Sequence, residues 1–206
     1  MTNNIIVTGF GPFRNHNVNA SWEAVKLLPD SFYGFNIIKQ EIPVTYYHVE
    51  NYVPDLWNTF NPIFVFHVGV SSFTNKFTIE KCAFRKGYDQ CDSSGATHPT
   101  MEVCCEGDDC ILTGIDVEQI CNSLNICQQT KACSSTNAGR YLCEFIYYTS
   151  LNINRNKSLF VHVPPLNEPY TAEQLAEGLL EIIRCVLEQL QYNFIQINEV
   201  EQQFQF

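Results

Sequence analysis

The sequence predicts an α/β protein in three layers, an α/β/α sandwich around a mostly parallel or mixed central sheet, and three features carry that expectation. Short apolar runs rich in β-branched and aromatic residues, "NIIVTGF", "PIFVFHVGVS" and "SLFVHVP", have the length of buried strands. Stretches of helical period stand between the strands, so the two kinds of element alternate along the chain. The composition, 45% hydrophobic and 17% charged over 206 residues, suits a chain able to bury a sizeable core.

The first strand is read over 4–10. An irregular stretch leads to a helix over 20–28, with Ala20, Ala24, Leu27 and Leu28 near one face and Pro29 marking its end. Residues 34–44 read as a second strand. The helical pattern of 46–60 contains Pro54, which is expected to kink or restart it. The apolar run 62–71 fits a central strand buried on both faces. Residues 76–84 alternate Phe77 and Ile79 with Thr78 and Glu80, as a further strand. From Gly87 to Gly114 periodicity fails, and glycines, cysteines and acidic residues indicate a long loop or small hairpin, read as a lid. A helix over 116–125 has Asp116 as its cap. A short strand follows at 131–136, then a helix over 137–151 with Asn137 as its cap. The strand 158–164 precedes a long amphipathic helix, 171–192, opened by Thr171 and Gln174 as a capping box. About 193–206 are expected as an edge strand or frayed tail. No repeat, linker or break in composition divides the chain, so 1–206 read as one domain.

The formal charge of −10, with 12 Lys plus Arg against 22 Asp plus Glu, disfavours nucleic acid and anionic membranes as partners. The first residues lack a basic targeting region, and no apolar run is long enough to span a bilayer. Ten cysteines in a chain of this length do not make a disulfide scaffold. Runs such as "IIRCVLEQL" use the thiol as a small hydrophobe. The reading is a reducing, cytoplasmic compartment.

Ligands of such folds bind beyond the C-terminal ends of strands, which directs attention to "TGFGPF", "HVGVS", "SST" and "FVHVPP". Cys143 follows a strand near a helix start, where backbone amides favour a thiolate. At about the seventh position of a helix beginning at 137, however, it lies beyond the strongest field, and a buried thiol is the competing reading. His162 and His67 each interrupt an apolar strand, and residue type alone does not choose between them. Glu80 is a carboxylate in an apolar strand, suited to orienting a histidine or to facing solvent. The spacing in "CCEGDDC" matches no usual zinc pair, so no metal is assigned. The glycines of "TGFGPF" run into Pro12 and Phe13 rather than a helix, so no phosphate loop, and no cofactor, is assigned.

Taken together, "VTGFGPF" with "NASWEAV", "FTIEKCAFRKGY", "NAGRYLCEFIYYTSL" and "FVHVPP" resemble the segments of the pyroglutamyl peptidase family, in order and at about its spacing. The resemblance reaches from Ile5 into the long C-terminal helix and is closest to animal members. It implies a phosphorylase/hydrolase-type sandwich and a cysteine exopeptidase that removes an N-terminal pyroglutamyl residue from peptides. By resemblance Cys143 is the nucleophile, His162 the general base and acid, and Glu80 the orienting carboxylate. Phe10, Phe13, Asn19, Tyr141 and Leu142 match residues at or near the pyroglutamyl pocket. Where bacterial members carry a glutamine this chain has Val70, leaving lactam contacts to backbone near Val70 and Ser71. No arginine stands at the spacing of the bacterial one implicated near the oxyanion. The alternatives are an inactive pyroglutamyl-binding protein or a nucleoside phosphorylase-like enzyme of similar fold. The reading leaves room for a homo-oligomer.

Overall fold

The computed structural model describes residues 3–13, 18–104, 106–126 and 130–203. Cys105 and residues 14–17 of the first loop lie outside them. In chain order the elements are β1 (Asn4–Phe10), α1 (Ala20–Lys26), β2 (Ser31–Phe32), β3 (Phe35–Ile42), α2 (Tyr46–Phe60), β4 (Phe64–Val70), β5 (Phe77–Glu80), β6 (Cys82–Phe84), β7 (Cys110–Leu112), α3 (Val117–Ile126), β8 (Ala132–Ser135), α4 (Leu142–Asn154), β9 (Ser158–Val163) and α5 (Ala172–Gln203). Seven strands form one sheet in the order β2-β3-β1-β4-β9-β5-β8. The run β3-β1-β4-β9 is parallel, β5 enters antiparallel to β9, and β8 is parallel to β5.

Strand alternation divides the apolar residues between two faces. Ile5 and Val7, Phe66 and Val68, Phe77 and Ile79, and Leu159, Val161 and Val163 pack against α1, α3 and α5. Ile6, Phe10, Val65 and Phe160 pack on the other face against α2, α4 and the β6–β7 pair. Close packing requires Gly9: a Cβ there would lie 2.8 Å from the Cα of Trp22 in α1.

Several elements depart from the sequence reading. Pro54 sits inside an unbroken α2. The strand expected over 76–84 divides at Lys81: β5 joins the main sheet, whereas β6 pairs with β7, the hairpin strand of the irregular segment. The helix expected from 137 begins at Leu142, with Tyr141 as N-cap. Asn137 instead accepts the Gly139 N–H in a turn (3.2 Å). Residues 193–203, expected as edge strand or tail, continue α5. The caps at Asp116 (Gln119 N–H to Oδ1, 3.0 Å) and at Thr171–Gln174 form as the sequence indicates. Among the described residues no helix is long and apolar enough to cross a membrane.

His67 lies wholly buried on β4, its ring bridging Thr8 Oγ1 and Ser150 Oγ at 2.7 Å each. Burial pushes its pKa down from 6.5 to about 3. The ring is therefore neutral when folded and takes up a proton on unfolding between those values. Its contribution costs stability as pH falls below 6.5, by up to about 1.4 kcal/mol per pH unit. The urea midpoint of the wild type is expected to fall on acidification from about pH 6.5 to 5, and that of His67→Gln to fall less. Equal acid slopes would assign the loss to other groups.

Candidate functional site

Cys143 owes its position to a buried carboxylate. Glu144, fully buried, accepts the backbone N–H of Arg140 (2.6 Å), two bonds from the Arg140 guanidinium (2.7 Å each) and the Phe84 N–H of β6 (3.1 Å). Arg140 takes a left-handed backbone conformation, φ 51°, that turns the chain into the helix, and its guanidinium stacks on the Phe84 ring at 3.9 Å. Helix α4 thus starts at Leu142, and Cys143 is its second residue, not the seventh. Tyr141 makes no side-chain cap bond, so it leaves the first-turn amides without a capping acceptor. Their partial positive charge falls on the sulfur.

The sulfur sits against the sheet at Gly69 of β4. A Cβ at that position would approach Cys143 Sγ to 2.7 Å and Phe160 Cζ to 2.8 Å, so only glycine admits the contact. Gly69 is in register with His162 of β9, and His162 with Thr78 of β5. Glu80 stands two residues beyond Thr78 on the same face, and its Oε1 lies 2.9 Å from His162 Nδ1. The second carboxylate oxygen is buried with no partner among the described groups. Cys143 Sγ and the His162 ring both lie against Gly69, side by side. Desolvation pulls the His162 pKa down, but the bonds and charges of Cys143 and Glu80 together outweigh it and hold it up at about 9. An imidazolium at neutral pH thus faces the sulfur, the counter-ion a thiolate needs. In contrast, burial pushes the Cys82 thiol up to about 12 and that of Cys121 to about 11.

The structure therefore brings Cys143, His162 and Glu80 together and leaves His67 on the next strand, enclosed by Thr8 and Ser150. Of the expected pocket residues, Phe13, Val70, Ser71 and Tyr141 line a cleft of about 780 Å³ that also reaches His162 and Glu80. Phe13 and Val70 continue into an apolar slot of about 190 Å³ closed by Val18, Ala20 and Leu166. Phe10, Asn19 and Leu142, expected at or near the pocket, are buried and line neither space. Asn19 caps α1 and donates to the Gly11 carbonyl (3.0 Å), which fixes the loop carrying Phe13. The Ser71 N–H, expected near the lactam, donates to the Val163 carbonyl instead (3.0 Å). The irregular segment forms a bonded wall: the Tyr141 hydroxyl donates to the Cys91 carbonyl (3.2 Å), and Asp92 accepts the Tyr46 N–H that opens α2 (3.0 Å). Sequence reading passed over Gly69, Arg140 and Glu144. The four-residue spacing of Arg140 and Glu144 was the available signal for that pair, whereas Gly69 had none beyond lying in a strand.

The chain matches the family described as pyroglutamyl peptidase over residues 3–182. It is 41% identical to pyroglutamyl-peptidase 1 of Homo sapiens, over 94% of each chain, and 43% identical to that of Mus musculus, over 89% of each. The fold is similar to the solved structure of pyrrolidone carboxyl peptidase from Thermococcus litoralis, with a TM-score of 0.85 at 18% identity, covering 94% of this chain and 96% of that one.

An NMR titration of the His162 ring is expected to give a midpoint near 9. It should move down in Cys143→Ala and in Glu80→Gln, each of which removes a negative partner. The same shift stabilises the fold in full below 6.5, and that contribution is lost as pH rises through about 9. An unmoved midpoint in both variants would show that these partners do not hold the proton.

Proposed function

The chain belongs to the pyroglutamyl peptidase family, and from that premise we propose that Cys143, His162 and Glu80 hydrolyse the bond after an N-terminal pyroglutamyl residue. One observation carries the assignment. The sulfur rests on Gly69 between the first-turn amides of α4 and a histidine whose Nδ1 is bonded to a buried carboxylate.

The thiolate attacks the pyroglutamyl carbonyl, and the developing oxyanion is met by first-turn amides of α4, that of Cys143 among them. Imidazolium His162 gives its proton to the leaving nitrogen as the C–N bond breaks, leaving a thioester on Cys143 and a neutral imidazole. That imidazole then takes a proton from water, which displaces the sulfur as thiolate and releases pyroglutamate. Glu80 keeps Nδ1 protonated and offsets the imidazolium charge. A reducing compartment preserves the thiol, in keeping with a cytoplasmic enzyme.

Cys143→Ser and His162→Ala are expected to lose on the order of 10³-fold or more in kcat on a fluorogenic pyroglutamyl amide. Gly69→Ala, which displaces the sulfur, should lose on the order of 10²-fold. Folded variants that keep the wild-type rate would overturn the assignment.

The apolar slot explains the choice of pyroglutamate over proline. Its walls, Phe13, Val18, Ala20, Val70, Pro165 and Leu166 with the hydroxyl residue Ser72, carry no charge. An N-terminal proline would bring a protonated amine into it, which costs several kcal/mol without a partner. The nearby carboxylate, Glu80, is engaged with His162. Proline also lacks the lactam carbonyl, and a site made for that group discriminates strongly against its absence. The kcat/KM for a pyroglutamyl amide should exceed that for the prolyl amide by at least roughly 10³. Comparable rates would refute the neutral slot.

A further inference from the structure

The register of the sheet gives the cleft a direction. Gly69, His162, Thr78 and Cys133 are successive partners across β4, β9, β5 and β8. The sulfur lies over Gly69 of β4, and the slot is lined by the next residue of that strand, Val70, and by Phe13. The histidine that protonates the leaving nitrogen is one strand further on. With the acyl ring in the slot, the departing peptide extends the other way, over Thr78 and Cys133, each strand adding about 4.8 Å.

That half of the cleft is walled by Phe73, fully exposed, and by Lys76. Lys76 stands two residues before Thr78, in the bend that leads into β5, and lines the same cleft; those two residues span at most about 7 Å, roughly the length of two extended residues. Position sets this lysine apart: among the described residues Lys131, Arg155 and Lys157 also lie in no ion pair, but of these Lys76 alone lines the cleft. Lys26, Lys39, Lys81, Arg85, Arg140 and Arg184 each lie within ion-pair distance of a carboxylate. Lys76 has no acidic partner among the described residues, in a chain with 22 acidic and 12 basic residues. The other charged side chains lining the cleft are Glu80 and His162, buried and bonded to each other.

Resting on the peptidase reading above, we propose that the space between Phe73, Lys76, Thr78 and Cys133 is the leaving-peptide subsite. Lys76 there binds a free α-carboxylate two residues beyond the scissile bond. The preferred substrates are then short: pyroglutamyl tripeptides ending in a free acid, over the same peptides ending in an amide. The net charge of −10 repels such acids from the surface at large, so the attraction is local to the cleft and sensitive to salt.

The test compares kcat/KM for pyroglutamyl-alanyl-alanine with that for its carboxamide, in wild type, Lys76→Met and Lys76→Arg. The acid-to-amide ratio is expected to fall about three- to fivefold in Lys76→Met at low salt, the range of a partly exposed ion pair. It should be restored in Lys76→Arg, and should also fall in the wild type at about 0.5 M salt. A ratio that is the same in wild type and Lys76→Met overturns the subsite. A pyroglutamyl aminomethylcoumarin, which has no carboxylate, checks the premise separately. If the wild type does not cleave it, the peptidase reading fails and the inference fails with it.

Discussion

The buried carboxylate of Glu144 is the constraint on which the site depends. One side chain accepts two backbone N–H groups from different segments, Arg140 before α4 and Phe84 of β6, and pairs with the Arg140 guanidinium. Breaking such a buried pair by removing one partner typically costs about 3–5 kcal/mol. Its geometric effect matters as much. By satisfying the chain just ahead of the helix, it lets α4 begin at Leu142 without a side-chain cap. The amides that a capping serine or aspartate would cover remain available at Cys143. A conventional cap at Tyr141 would stabilise the helix and occupy those amides.

The two faces of the sheet have different duties. Against α1, α3 and α5 the strands present almost only aliphatic and aromatic groups. The face toward α4 carries Thr8, His67, Gly69, His162, Thr78 and Glu80. Polar groups so deep need partners, and the partners separate the two histidines. Ser150, on the buried length of α4, bonds His67 and also accepts the Trp57 indole N–H (3.0 Å), closing a network that holds a neutral ring. His162 meets the same helix at its first turn, where a thiol replaces the hydroxyl and the cleft opens. Distance along one helix thus decides which histidine is enclosed by hydroxyls and which meets a thiol at the cleft.

Much of this was legible in the sequence. The apolar runs located β1, β4 and β9, and the caps of α3 and α5 stood where Asp116 and Thr171–Gln174 indicated. Periodicity could not find the start of α4, because 137–141 have helical composition and only the tertiary bonds of Glu144 exclude them from the helix. The break at Lys81 was hidden for a similar reason: β5 and β6 continue one alternating pattern but pair with different partners. The choice between His67 and His162 depended on register between strands distant in the chain, which residue types do not encode. The family resemblance named Cys143, His162 and Glu80 together. It carried no information on Gly69 or Glu144, whose roles lie in what they leave room for and what they hold.

The reversal of β5 accounts for the distribution of charge in the cleft. Thr78 and Glu80 share one face of that strand, and Lys76 stands in the bend that leads into it. Because β5 runs antiparallel to β9, Glu80 is carried down beside Phe160, while Lys76 is left at the open end. The carboxylate thus enters the low-dielectric interior, where its attraction for the imidazolium is strong. The ammonium stays in water, where holding it costs little. A parallel β5 in the same register would bury the lysine beneath His162 and expose the glutamate at the mouth. The imidazolium would then be opposed, and any anionic leaving peptide repelled. The antiparallel pairing of β5 with β9, the one such pairing in this half of the sheet, is thus the feature that puts Glu80 beside His162 and Lys76 at the mouth of the cleft.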